Sequence, residues 1–310
     1  MSFSFETPIL CLGIVTATYL LFQIGQFAFV YLRPSSLPRY KHGEETWALI
    51  TGASDGIGFG FAQELSRHNF NVILLGHKPA ELENAKAILK LQSPQVRVRI
   101  LVVDAISSSV SELKDALATL KELNITILIN NVGGLPEMSE SYFKTFDRYT
   151  AEEADGILNL NARFMAQITR LLLPDLSQNG PSLIMNIGSG AHLGVPYEVM
   201  YSGTKGFVAS FSAALNTEAI AEGWPVDVMA IIPGNVRSGS NKVPLSWFIP
   251  SAAVFSRAAL DRIGCGQPVV CGYWKHALQI IMLKSLPIWM QQQALIRQMR
   301  YTMATQVRDK

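Results

Sequence analysis

Charged side chains are scarce in this 310-residue chain: Asp, Glu, Lys and Arg make up 16 % of it, where roughly 25 % is usual. Hydrophobic residues make up 49 %, and the mean hydropathy is +0.22. That combination excludes an intrinsically disordered chain, which pairs low hydropathy with high net charge. Neither sign of charge dominates, since 26 basic and 24 acidic residues leave a formal +2, and there is no Lys/Arg block. Nucleic acid is therefore not an expected partner. Cysteine is scarce too. Cys11, Cys265 and Cys271 are odd in number and form neither a CxxC pair nor a zinc-ligand spacing, so no disulfide framework and no metal site is expected. A reducing, cytosol-facing compartment fits.

The amino-terminal region accounts for much of the missing charge. Pro8 to Leu32 is a run of 25 residues without a formal charge, interrupted mainly by Gln23 and Gln26. It exceeds the ~20 helical residues that cross a hydrocarbon core. A secretory leader has basic residues before a shorter apolar run, whereas here Glu6 precedes it and Arg33, Arg39 and Lys41 follow. Residues 1–32 read as an uncleaved single-pass membrane anchor, with a helix packed on the domain as the alternative. The basic flank then places everything after Arg33 in the cytosol. Residues 33–45, with Pro34, Pro38 and Gly43, read as a linker, and residues 46–270 as one catalytic domain.

Within that domain, apolar runs of strand length alternate with longer amphipathic stretches. The strand-like runs are Trp47 to Ile50, Asn71 to Leu75, Val96 to Val103, Ile125 to Ile129, Ser182 to Ile187 and Val226 to Ile232. Strands apolar on both faces and separated by helices imply a doubly wound α/β domain, in which helices cover both sides of a parallel sheet. The first run leads directly into Thr51-Gly52-Ala53-Ser54-Asp55-Gly56-Ile57-Gly58. Glycines at a strand-to-helix junction permit a tight turn and let the backbone approach a pyrophosphate on the positive end of the helix.

Further motifs follow in order: Asn130-Asn131-Val132-Gly133, Asn161, Tyr201-Ser202-Gly203-Thr204-Lys205 and Pro233-Gly234-Asn235-Val236-Arg237-Ser238. Together with the TGxxxGxG turn, they resemble the short-chain dehydrogenase/reductase family across nearly the whole domain, which implies a Rossmann-like sheet. Reduction of a ketone by hydride transfer develops negative charge on the carbonyl oxygen, so a proton donor must be poised there. Tyr201 is the natural donor. Lys205, one helical turn later on the same face, favours its phenolate. The resemblance implies that Lys205 also binds the nicotinamide ribose and that Asn161 holds a water in a proton relay. The family's carbonyl-binding serine falls at Gly188, whereas Ser189 lies twelve positions before Tyr201. Ser189 is expected to take that role after a one-residue loop deletion, with a reshaped substrate mouth across His192 to Val199. A serine-hydrolase elbow is excluded because GxSxG needs glycine where Ile187 stands.

The second strand ends in Leu75-Gly76-His77-Lys78, with no carboxylate to bind the adenosine ribose of NAD and a lysine suited to the extra phosphate of NADP. NADP(H) is the expected cofactor, with His77 and Lys78 beside it. The resemblance further implies that Asp104 meets adenine, Asn131 the adenine ribose, Val236 the carboxamide and Ser238 the pyrophosphate. Arg163 is a further candidate beside the cofactor, with a helix-surface arginine as the alternative.

A narrower resemblance rests on the anchor, on NNVG, and on the tail Gly272-Tyr273-Trp274-Lys275-His276-Ala277-Leu278 with Ser285-Leu286-Pro287-Ile288-Trp289. These are similar to the very-long-chain 3-oxoacyl-CoA reductase and 17β-hydroxysteroid dehydrogenase type 12 group, which implies an endoplasmic-reticulum enzyme acting on long acyl or steroid ketones. Residues 271–310 are then expected to be an interfacial or re-entrant helix pair, since Lys284 and Pro287 interrupt the run, or else an apolar cover on the core. The carboxyl-terminal Val307-Arg308-Asp309-Lys310 lacks the group's dilysine retrieval signal. The substrate expected is a bulky hydrophobic ketone or acyl-CoA. Two alternatives stand: a terpenoid, sterol-like or polyketide intermediate of specialised metabolism, handled in either direction, and a non-catalytic dinucleotide-binding membrane scaffold. By family analogy the helix from Val199 to Glu222 is a candidate homodimer face.

Overall fold

A computed structural model describes residues 6–135, 143–239 and 241–306. Val307 to Lys310, the carboxyl-terminal segment without a dilysine signal, lie outside the described residues. Helix α1 (Glu6–Leu32) leads, and the domain then alternates: β1 (Thr46–Thr51), α2 (Gly56–Arg67), β2 (Asn71–Gly76), α3 (Pro79–Gln92), β3 (Val98–Val102), α4 (Val110–Ala118) and β4 (Asn124–Asn130). There follow α5 (Ala151–Leu158), α6 (Phe164–Gln178), β5 (Ser182–Ile187), α7 (Val199–Ala221), β6 (Val226–Ile231), α8 (Ala252–Leu260), β7 (Val269–Val270), α9 (Trp274–Lys284) and α10 (Ile288–Gln306).

The strands form one seven-stranded parallel sheet in the order β3-β2-β1-β4-β5-β6-β7. Strand alternation divides the core in two. Ala48, Ile50, Val72 and Leu74 meet Phe61, Leu65, Leu82 and Phe255 on one face. Leu49, Ile73 and Leu75 meet Leu113, Phe164, Ile168 and Leu172 on the other. Both faces are apolar because both are covered, as the uninterrupted hydrophobic runs require. The order reverses between β1 and β4, and the crevice above their carboxyl ends is where such sheets bind ligands.

Helix α1 is long and apolar enough to cross a membrane, and its most apolar 18-residue stretch is unburied by the rest of the chain. Only its last turn touches the domain. Tyr31 donates to the Cys271 carbonyl at 2.9 Å, and Arg262 donates to the Val30 carbonyl while lying over the Tyr31 ring. Residues 33–45, expected as a linker, are packed instead. Leu37 and Tyr40 are buried on a short 3₁₀ turn, Ser36 N–H donates to the Ile263 carbonyl and the Tyr40 hydroxyl to Asp227. Two apolar residues three apart suffice to seat that turn in the core. The tail forms two helices that break at Ser285–Pro287, tied to the domain through buried His276 and Ala277.

Candidate active site

The glycine turn after β1 adopts a shape other residues would resist. Gly52 and Gly56 have φ of +63° and +60°, and a Cβ on Gly58 would stand 2.1 Å from the Gly52 carbonyl oxygen. Helix α2 therefore starts tight against the turn, and its N-cap Asp55 makes no side-chain cap hydrogen bond. Asn131, at the end of β4, donates through Nδ2 to the carbonyls of Thr51 and Gly52, both at 3.1 Å. The Thr51 hydroxyl in turn accepts from the N–H groups of Asn131 and Val132, each at 2.9 Å. Asn131 thus holds the glycine turn in place. Ser238 closes over it, since a Cβ on Gly56 would meet the Ser238 Cβ at 3.1 Å. Val236 lies buried in the same segment.

Around the far end of the crevice, Ser54 donates to Glu81 at 3.2 Å, and Lys78 Nζ lies 3.6 Å from the same carboxylate. Ile57 is partly buried against the core below. Against the upward pull of burial, hydrogen bonds from Ser107 and the Ile106 N–H, with the neighbouring His77, hold the Asp104 carboxyl below the usual range. Arg163 reaches this loop and donates to the Ser108 carbonyl at 3.2 Å, so it braces the wall of the crevice.

Helix α7 presents half-buried Tyr201 and buried Lys205 on one face. Burial pushes the Tyr201 phenol up to about 12, a hydrogen bond with Ser189 opposes the shift, and the charge of Glu198 adds to it. Burial likewise pushes the Lys205 ammonium down to about 8. Its Nζ donates to the Ile187 carbonyl at 3.1 Å and stands 5.5 Å from the Tyr201 ring centre. Asn161, 1 % exposed, occupies a single π-turn (Asn159–Arg163) between α5 and α6. It accepts from the Gly134 N–H at 2.9 Å and donates to the carbonyls of Gly134 and Ile157 at 2.8 and 3.0 Å.

Position 188 explains the shifted serine. A Cβ there would strike Ile232 Cδ1 at 2.6 Å, so a side chain at 188 would be turned towards Ile232. The next residue in the extended backbone points the opposite way, and Ser189 thereby bonds Tyr201 while its Oγ accepts from Ala191 N–H at 3.1 Å.

Two further residues at the site were not read from the sequence. Glu198 opens α7 one helical turn before Tyr201, and burial pushes its carboxyl up to about 7. A carboxylate three positions before the YxxxK tyrosine was the available signal. His276 comes from α9 and receives the Gly234 N–H. Only the folded chain joins those two.

The chain is similar to known proteins over most of its length. Residues 46–246 match the family model described as short chain dehydrogenase. A human very-long-chain 3-oxoacyl-CoA reductase is 31 % identical over 283 residues, covering 89 % of this chain and 88 % of its own. The Neurospora crassa protein of the same name is 32 % identical over 85 % of this chain and 81 % of its own. Among solved structures, a short-chain dehydrogenase from Sphingobium yanoikuyae in complex with NADPH superposes with a TM-score of 0.60 at 27 % identity, over 73 % of this chain and 86 % of that one. A 7beta-hydroxysteroid dehydrogenase shares the fold, with a TM-score of 0.71 at 17 % identity over 84 % of this chain and 98 % of that one. The chain belongs to the short-chain dehydrogenase family, is similar within it to the very-long-chain 3-oxoacyl-CoA reductase group, and is an oxidoreductase acting on CH–OH/C=O groups.

Proposed function

We propose that this protein reduces the ketone of a bulky hydrophobic substrate, a long-chain 3-oxoacyl-CoA or a steroid-like ketone, with NADPH. The observation that carries this reading is the convergence of Tyr201, Ser189, Lys205 and Asn161 beside the glycine turn. The residues fit a dinucleotide: the close approach of Gly58 to Gly52 leaves a bare backbone cradle, and the start of α2 is free of a side-chain cap. When bound, NADPH supplies the hydride that becomes the new C–H bond. Lys78 and His77 would take the adenosine phosphate and ribose, Ser54, Asp55, Gly56 and Ile57 the pyrophosphate turn, and Asp104 the adenine. Val236 and Ser238 would line the nicotinamide and diphosphate.

The Ser189 hydroxyl orients the substrate carbonyl, and Tyr201 delivers a proton to its oxygen as negative charge develops. Lys205 stabilises the phenolate left behind, and Asn161 maintains the route by which the proton is replaced. The names of the relatives favour an acyl-CoA, and no specific observation favours a specialised metabolite. The α1 helix with Arg33, Arg39 and Lys41 behind it supports an endoplasmic-reticulum anchor with the domain in the cytosol.

Purified full-length protein in detergent, offered a 3-oxoacyl-CoA, a steroid ketone and a small ketone with NADPH or NADH, tests the reading. Turnover of a long ketone with NADPH is expected, with Tyr201→Phe losing ~10²–10⁴-fold in kcat while still binding NADPH. Unchanged turnover in Tyr201→Phe would overturn the proton-donor role.

A further inference from the structure

His276 is 1 % exposed, yet its imidazole belongs to none of the motifs that read as the site. Its Nδ1 accepts from the Gly234 N–H at 3.0 Å, and its Nε2 lies 3.0 Å from the Phe248 carbonyl oxygen. A backbone N–H can only donate and a carbonyl can only accept, so the two partners fix the tautomer: neutral, with the proton on Nε2. The ring is held edge-on by Tyr273 at 5.1 Å and tilted against Phe255 of α8 at 6.0 Å. Gly234 is fitted to it, because a Cβ there would stand 2.9 Å from the imidazole.

The two hydrogen bonds reach different parts of the site. Gly234 opens the segment whose Val236 is buried and whose Ser238 closes over the glycine turn. Phe248 lies in the following loop, where Trp247 packs edge-on against both Phe248 and Trp274 at 4.7 and 5.5 Å. Trp247 is 56 % exposed, an apolar residue displayed at the surface rather than buried in the core, in the loop whose Asn241 bonds Ser238 and the Val236 carbonyl. His276 itself sits in the first turn of α9, three residues after Tyr273, and Tyr31 of the anchor bonds Cys271 just before that turn. One imidazole thus joins the turn after β6 to the loop 241–250.

We propose that His276 is a positioning residue with two separable tasks: its Nδ1 sets the Pro233–Ser238 turn for the dinucleotide, and its Nε2–H sets the Trp247-bearing loop for the apolar part of the substrate. This rests on the reading of the site as a dinucleotide-dependent ketone reductase. The tasks divide because the atoms divide. The Asn δ-oxygen reproduces the acceptor near Nδ1 without reaching Phe248, and the Gln ε-amide reproduces the donor near Nε2 without serving Gly234.

The experiment compares full-length wild type, His276→Asn and His276→Gln in detergent, reading the NADPH Kd by quenching or enhancement of its fluorescence and the KM for a long-chain ketone at saturating NADPH. His276→Asn is expected to keep the NADPH Kd within twofold and raise the ketone KM about tenfold. His276→Gln is expected to raise the NADPH Kd about tenfold and the ketone KM less than threefold. Parallel shifts of both constants in both variants, or no shift in either, would overturn the division of labour. If neither variant folds, Gly234→Ala takes their place, with a raised NADPH Kd in support and an unchanged one against. Absence of any ketone turnover in the wild type would instead remove the reductase reading, which keeps the two failures apart.

Discussion

Asn161 and Lys205 face each other across the bare Cα of Gly133. A methyl group there would stand 2.8 Å from Asn161 Oδ1 and 2.9 Å from Lys205 Nζ, inside van der Waals contact with both. Asn161 is tied by three hydrogen bonds and Lys205 by one, so the ammonium is the group that yields.

Gly133→Ala should therefore displace Lys205 without unfolding the domain, since the backbone of residue 133 lies outside the left-handed region. The expected result is a kcat lowered ~10–100-fold with a melting temperature within a few degrees of wild type, because the cation proposed to stabilise the Tyr201 phenolate is misplaced while the core stays packed. Kinetics beside a thermal scan distinguish the two effects. A kcat equal to wild type would show that the ammonium does not act from its observed place.

Lys205 also sets a conflict between function and stability. Its pKa is lowered from 10.5 to about 8 by burial. A lowered value means that the folded state disfavours the charged form. The associated stability is present above pH 10.5, is lost as pH falls towards 8, and the full penalty persists at neutral pH. Lys205→Met removes that penalty, ~2–4 kcal/mol from the size of the shift, and forfeits one hydrogen bond to Ile187. The dinucleotide-free variant is expected to be ~1–2 kcal/mol more stable than wild type at pH 7 by urea unfolding, with the advantage shrinking as pH rises towards 10.5, and to be inactive. A less stable variant at pH 7 would mean that the Ile187 bond outweighs the charge.

Tyr201 and Lys205 were legible because a YxxxK spacing places both on one helical face, and the glycine turn because its three glycines are spaced for a single backbone shape. The strands were legible where they are apolar on both faces, as in β1, β2 and β5. Strand β7 was not, since Val269 and Val270 have no pattern of their own and become a strand only by pairing with Ala230 and Ile231. The packing of Leu37 and Tyr40 was hidden for a related reason: a single 3₁₀ turn is too short to show a period. The Gly234–His276 pair spans 42 residues and is created by tertiary folding alone.

Cofactor preference should turn on the ion pair at the end of β2. Lys78 Nζ is 3.6 Å from Glu81, which also accepts from Ser54 in the glycine turn, so the lysine that would meet the adenosine phosphate is already engaged with a carboxylate. Both side chains are well exposed, which keeps the effect modest. Glu81→Gln is expected to lower the NADPH Kd about two- to fivefold and leave NADH unchanged, because only the phosphate competes for the ammonium. Lys78→Ala should weaken NADPH about tenfold with little change for NADH. Equal shifts for both dinucleotides, measured by fluorescence titration, would place Lys78 away from the phosphate.

Glu198 gives the site a titration in the neutral range. Burial raises its carboxyl from 4.5 to about 7, and its negative charge raises Tyr201 in turn. When Glu198 ionises, the protonated phenol is favoured, which suits the donor in ketone reduction and hinders the phenolate needed for alcohol oxidation. Glu198→Gln fixes the neutral state at every pH. In the oxidative direction its rate should begin to rise at a lower pH than that of wild type, because the phenolate forms more readily without the Glu198 charge, and the inflection near pH 7 should vanish. A carboxyl raised on folding contributes stability fully present below about 4.5 and lost as pH rises through 7, so the glutamine variant should gain most over wild type at pH 8 and little at pH 4.5. Rate profiles from pH 5 to 9 alongside urea unfolding at pH 4.5 and 8 check both halves. A pH–rate curve that keeps its inflection in Glu198→Gln would assign it to another group, with Lys205, lowered to about 8, the next to test.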